Sequence, residues 1–276
     1  MISALLIALR EGLEATLIVG IVLGYLCRNG QRDRMGFVWA GALVAAILSM
    51  LVAVGMRLIG AELEEPLEQI FEGTTMLIAV IVLTWMIFWM RHQARFFKRD
   101  LEREVQSAME RGQNWGLFGL AFLAVFREGV EMALFLAANA FAADAVGTMV
   151  GTLIGLTVAL IAGVLNYVFA VRLDVKSVFD TTSALLIVFA AGLVAHSVHE
   201  FQEIGWLSVL TSTAWNTEAL LSNSSMVGSL LRSLVGYNAK PSWLEVVMYI
   251  GYWVIVLQAI RWWTRRLSAR VVEQST

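Results

Sequence analysis

From Met35 to Met56 the chain carries no Asp, Glu, Lys, Arg or His, and the same is true from Gly73 to Met90 and from Ala145 to Val171. Runs of about 18 or more residues without charge are long enough to cross some 30 Å of hydrocarbon. Inside hydrocarbon every backbone N–H and C=O must be paired within the segment, so each run is read as a helix. Four further stretches, 2–26, 115–142, 181–203 and 244–263, stay apolar on both sides of a few charges. The expected fold is therefore an all-α polytopic membrane protein of seven transmembrane helices. The first stretch lacks the basic flank of a signal peptide and runs directly into further spans, so it is expected to be retained. At 59% hydrophobic and 15% charged, the composition agrees.

Orientation follows from the basic residues. Most of the 20 Lys and Arg fall after spans one, three, five and seven: Arg28, Arg32, Arg34; Arg91, Arg95, Lys98, Arg99, Arg103, Arg111; Arg172, Lys176; Arg261, Arg265, Arg266, Arg270. The positive-inside rule then places the N-terminus outside and the C-terminus in the cytoplasm, in the cytoplasmic (inner) membrane. The mixed-charge stretch from Lys98 to Arg111 reads as a solvent- or lipid-facing cytoplasmic helix, with His92 solvated beside it.

Two midspan segments break the apolar pattern in the same way. "REGLE" at 10–14 is answered by "REGVE" at 127–131, and "IFEGTT" at 70–75 by "VFDTTS" at 178–183. The chain divides into a three-helix repeat over 1–92, a second over 112–205, an extracytoplasmic loop over 206–243, and a seventh helix with its tail over 244–276, all in one membrane domain. Three helices per unit make the second unit enter from the opposite face, a 3+3 inverted repeat plus one. Transporters built this way hold substrate at the midplane between repeats.

An ionised side chain at the bilayer centre costs about 3 kcal/mol on insertion scales, so such residues mark function. Glu11 and Glu14 share a helix face, as do Glu128 and Glu131, and Arg10 and Arg127 each stand four residues before the second acid. Four carboxylates against two guanidiniums leave negative charge that a di- or trivalent cation offsets, and oxygen-only ligands favour a hard ion. Gly12 and Gly129 permit either close helix approach or a local break. Toward the outer face, Glu72 with Glu68, and His199, Glu200 and Glu203 of "HSVHEFQE", suggest a cation capture site. Asp180, counterpart of Glu72, is read as a cytoplasmic relay. "GIVLG" at 20–24 and "GTLIG" at 151–155 are expected to pack helices closely. Glu62, Glu64 and Glu65 form an acidic outer loop, and Trp39, Trp85, Trp89, Trp115, Trp243, Trp262 and Trp263 read as interfacial anchors.

Other classes find little support. Cys27 is the single cysteine, no zinc spacing or phosphate loop occurs, no basic patch suits nucleic acid, and no Glu-x-x-His pair suits a di-iron enzyme.

Paired R-E-G-x-E motifs in spans one and four resemble those of the oxidase-dependent iron transporter family, which includes fungal high-affinity and bacterial iron permeases. The resemblance extends over nearly the whole chain, with "FEGTTMLIAVIVLTWMIFWMR" at 71–91 and "HEFQEIG" at 199–205. It implies that Glu11, Glu14, Glu128 and Glu131, supported by Arg10 and Arg127, form an iron path. It further implies a permease rather than an enzyme, with Fe2+ oxidised outside, Fe3+ carried as substrate, and an extracytoplasmic iron oxidase or delivery protein as partner. No permanently bound cofactor is expected, and a homo-oligomer is left open. Val130 departs from the strict motif conservatively. Relatives associated with lead or other metals keep a divalent metal transporter as an alternative, with an intramembrane iron redox enzyme behind it.

Overall fold

The computed structural model describes residues 1–93, 103–107, 114–142, 145–169, 175–223 and 225–273. Arg95, Lys98, Arg99, Arg111 and Arg172, with most of the Lys98–Arg111 stretch, lie outside the described residues.

The described residues form seven helices of 25 to 31 residues, one of ten, a helical stretch at 103–107 and a 3-10 turn at Arg32–Arg34. The helices of ten or more residues are α1 (Ile2–Arg28), α2 (Met35–Glu62), α3 (Leu67–Gln93), α4 (Asn114–Ala142), α5 (Ala145–Phe169), α6 (Val175–Glu203), the short α7 (Met226–Val235) and α8 (Trp243–Glu273). At 1.5 Å per residue even the shortest long helix measures about 37 Å. Helices α2, α3, α5, α6 and α8 are long and apolar enough to cross a membrane. In length α1 and α4 match them, differing by their midspan charges. Large apolar side chains face outward along the helices, among them Leu43, Ile47, Met50, Leu51 and Val54 on α2 and Leu153, Leu160 and Ile161 on α5. A belt of this extent has no place in water, and the chain is an integral multi-pass membrane protein.

Helix pairing crosses between the halves. The closest partners are α1 with α5, α2 with α4, and α3 with α6, while α1 also packs on α4 and α8 on α6. Without a hydrophobic drive between helices in lipid, small residues set these contacts. A Cβ on Gly41 of α2 would overlap the Phe118 carbonyl and crowd the Phe122 amide of α4; one on Gly151 of α5 would overlap the Met1 carbonyl and crowd the Leu5 amide of α1. Aligning REGLE with REGVE makes Met1 the counterpart of Phe118 and Leu5 that of Phe122. In the same register Gly12 lies against Ala159 and Gly129 against Ser49. The Gly41 contact of one half therefore repeats at Gly151 of the other with the same backbone atoms, and Gly12 and Gly129 stand at matching positions.

The two small-residue patterns part company here. Gly151 and Gly155 lie on the α1 backbone, whereas Gly20 and Gly24 of "GIVLG" have nothing within 4 Å of a Cβ. Among the described residues, then, that pattern makes no close contact of the kind expected of it. Gly155→Leu is expected to drive α1 and α5 apart, an overpacking cost of about 1–3 kcal/mol or more. The measurement is thermal unfolding in detergent, where Gly24→Leu should leave the midpoint unchanged.

The segment between α6 and α8 folds back on the bundle. Ala214 N–H donates to Pro241 O, Thr217 N–H to Ala239 O and Trp243 N–H to Ser212 O, closing the loop onto the start of α8. Ser225 caps α7 by accepting from Gly228 N–H, and Gly236 ends it at φ 72°, a left-handed position suited to glycine. Gly236 abuts Gly192, eleven residues or about 16 Å back from the end of α6. Helix α7 thus packs on α6, α1 and α4.

Candidate metal site

Helices α1 and α4 carry the two motifs unbroken through Gly12 and Gly129. The glycines thus serve close approach rather than a break. Arg10 Nε lies 3.4 Å from Glu14 Oε1 and its Nη1 3.7 Å from Glu11 Oε1; Arg127 Nε donates to Glu131 Oε1 at 2.8 Å. Each arginine therefore reaches its own second acid, as the four-residue spacing allows.

Helix pairing brings the acids of both halves together. One carboxylate oxygen from each of Glu11, Glu128 and Glu131 lies within 4.8 Å of the other two. Both oxygens of Glu11, Oε2 of Glu128 and Oε2 of Glu131 are buried and meet no donor among the described residues. Buried carboxylate oxygens without donors are costly unless a cation takes the place of water. The donor set is hard, and its size and charge suit a multivalent ion.

The two halves are not identical around this centre. Arg10 is wholly enclosed, but the Arg127 side chain is 43% exposed and its guanidinium stacks on Trp89 at 4.5 Å. Trp89 thus serves Arg127, and the anchor reading fits better the exposed Trp39, Trp85, Trp115, Trp243 and Trp262. Eight residues from the acids in one direction, about 12 Å, Ser3 Oγ donates to Asn139 Oδ1 and Asn139 Nδ2 to Thr148 Oγ1. Their counterparts toward the other end are Leu120, Val22 and Val38, in an apolar cluster with Ile18, Leu26 and Leu117. A polar link stands on one side of the site and an apolar plug on the other.

The remaining sequence-read acids lie near the end where the 204–242 loop folds. Glu72 faces Glu68, Glu200 and Glu203 across α3 and α6. His199 Nδ1 meets Glu245 Oε1 at 3.1 Å and its Nε2 meets Glu203 Oε1 at 3.3 Å. Among the described residues these groups do not bring three ligand atoms together as the midspan acids do. His196 turns inward, its Nδ1 on Gly192 O and its Nε2 accepting from Arg232 Nε of α7 at 3.2 Å. Asp180 is exposed near the start of α6. Sequence reading missed Glu245, whose signal was available: Ser242 and Glu245 form a capping box, Glu245 N–H donating to Ser242 Oγ and Ser242 N–H to Glu245 Oε1.

Comparison with known proteins bears on the whole chain. Residues 1–269 match the iron permease FTR1 family. The chain belongs to that family. The ferrous iron permease EfeU of Escherichia coli O6:H1 is 37% identical over 257 residues, covering 92% of this chain and 93% of its own. The protein of that name from Yersinia pestis is 36% identical over 255 residues, covering 91% and 90%. No solved structure matches the chain. Family membership makes this an iron permease architecture and places the acid cluster inside a transport protein.

Proposed function

We propose that the chain takes up iron across the cytoplasmic membrane, carrying Fe3+ formed by oxidation of Fe2+ outside, along a path centred on Glu11, Glu14, Glu128 and Glu131. The observation that carries this reading is the meeting of three carboxylates from the two R-E-G-x-E motifs, Glu11 and Glu128 buried and Glu131 partly so, each with a buried oxygen that meets no donor among the described residues. In this reading all seven long helices span the bilayer as a 3+3 inverted repeat plus one, with the N-terminus and the 204–242 loop outside. The exchanged glycine contacts support the repeat. Ions arrive past the polar Ser3–Asn139–Thr148 link, and the apolar plug around Val22, Val38 and Leu117 blocks the cytoplasmic side until the repeats rearrange. Arg10 and Arg127 hold the acids in place and keep the unloaded site from carrying four uncompensated charges. An extracytoplasmic oxidase or delivery protein supplies the ion.

An inside-negative potential of 100 mV contributes about 2.3 kcal/mol per charge, so roughly 7 kcal/mol for Fe3+ and less for Fe2+. A second reading, in which Fe2+ itself crosses, is favoured by the relatives' name, ferrous iron permease. The test is radiolabelled iron accumulation in liposomes holding the purified protein under such a potential, with Fe2+ and chelated Fe3+ supplied separately and Pb2+ and Zn2+ as competitors. Accumulation from Fe3+ alone is the expected result. Accumulation from Fe2+ under strictly anaerobic conditions would replace the ferric reading with the ferrous one, and entry of neither would overturn both.

A further inference from the structure

A cavity of about 220 Å3 opens where the end of α6 meets the folded loop, lined by His199, Gln202, Glu203, Thr211, Thr213, Lys240, Ser242 and Glu245. We propose that it is a second metal site, in which His199 and Glu203 bind a borderline divalent cation and Glu245 orients the imidazole.

The case begins with Glu245. It is buried at the first turn of α8 and pinned on several sides: Oε1 accepts from Ser242 N–H at 3.2 Å and Oε2 from Asn238 Nδ2 at 3.1 Å. Its Oε1 also stands 3.1 Å from His199 Nδ1. In the neutral ring a fixed carboxylate beside Nδ1 holds the proton there, so Nε2 presents its lone pair. That lone pair faces the Glu203 carboxylate at 3.3 Å. At this distance either a proton on Nε2 or a metal ion bridges the two atoms. Ligand bonds of about 2.0–2.2 Å around a tetrahedral metal separate neighbouring donor atoms by about 3.3 Å, so the gap suits a metal ion. A carboxylate behind a ligating histidine is the usual outer support of such a site.

The remaining ligands are neutral. Thr211, Thr213 and Gln202 line the cavity and leave room for water. Lys240, the basic residue in the lining, is drawn to Glu218 at 3.8 Å. One nitrogen and one carboxylate make a weak, exchangeable site. The nitrogen selects first-row divalent ions such as Fe2+, Co2+ and Zn2+ over Mg2+ and Ca2+. The midspan acids offer oxygen alone, so the chain presents two different chemistries. The site's use in uptake rests on the transport reading; its existence does not.

The test is Co2+ binding to the purified full-length protein in detergent, followed by calorimetry and visible absorption. Wild type is expected to bind at two independent sites, with a hundredfold excess of Mg2+ failing to displace ion from the weaker one. His199→Gln and Glu203→Gln should each remove that site and leave the other. Glu203 is 52% exposed at its side chain, so its variant carries little folding risk. Glu245→Gln should keep the stoichiometry while weakening the outer site about 10- to 100-fold. Wild-type affinity and stoichiometry in both His199→Gln and Glu203→Gln would overturn the proposal, leaving His199 as a plain ion-pair partner. Loss of both sites in Glu128→Gln would overturn it too. Survival of the outer site with no midspan binding in wild type would count against the transport reading alone.

Discussion

Glu128→Gln and Glu11→Gln will each abolish iron uptake in liposomes and lower midspan metal affinity by about a thousandfold, while the protein remains folded. At about 4 Å and an effective dielectric of 20, one unit charge is worth about 4 kcal/mol to a monovalent ion, and each 1.4 kcal/mol is tenfold in affinity. Glu11 and Glu128 come from different motifs and neither accepts a hydrogen bond from its arginine in the way Glu131 does. Their arginines stand farther off, at 3.7 Å and 4.0 Å, so more of their charge is available to the ion than in Glu131. Glu14 lies outside the three-oxygen cluster with Oε1 toward Arg10, so Glu14→Gln should cost roughly tenfold. Calorimetry with Co2+ beside the uptake assay measures the order. Equal losses in all three variants would show that the ion is shared among four acids rather than held by three. Normal uptake in Glu128→Gln would remove the site from the path.

Much of this was legible because charge is so expensive in hydrocarbon. A run such as Met35 to Met56 has one stable structure in a bilayer, and two identical charged patterns at midspan demand a common explanation. The choice at Gly12 and Gly129 was not legible, since it depends on Ala159 and Ser49 arriving from helices far along the chain. Nor was the difference between Arg10 and Arg127, whose local sequences are the same but whose neighbours are not. The loop hid its role for another reason. His199 and Glu245 are separated by a segment whose apolar stretch, Met226 to Val235, looks the same whether it lies flat or dips inward. What decides is backbone contact between Gly192 and Gly236, which no periodicity encodes. His196 likewise meets Arg232 from that same segment.

The same asymmetry gives the second large effect. Arg10→Leu is expected to destabilise the protein by about 3–5 kcal/mol, because Glu11 and Glu14 then lose their cation in the interior. Arg127→Leu removes a partner that is partly exposed, so the ion-pair loss is about 1 kcal/mol, with a further 0.5–1 kcal/mol or so from the Trp89 stack. Thermal unfolding in detergent compares them directly, and Arg10→Leu combined with Glu14→Gln should recover part of the loss, since removing both partners of a buried pair costs less than stranding one. On the transport reading proposed above, two halves related by repeat and yet unequal in exposure fit a transporter resting on one side of its cycle. Exchange of roles between repeats would enclose Arg127 and open Arg10, and an equal fall in stability for both single variants would argue that the enclosed and exposed arginines carry the same electrostatic burden after all.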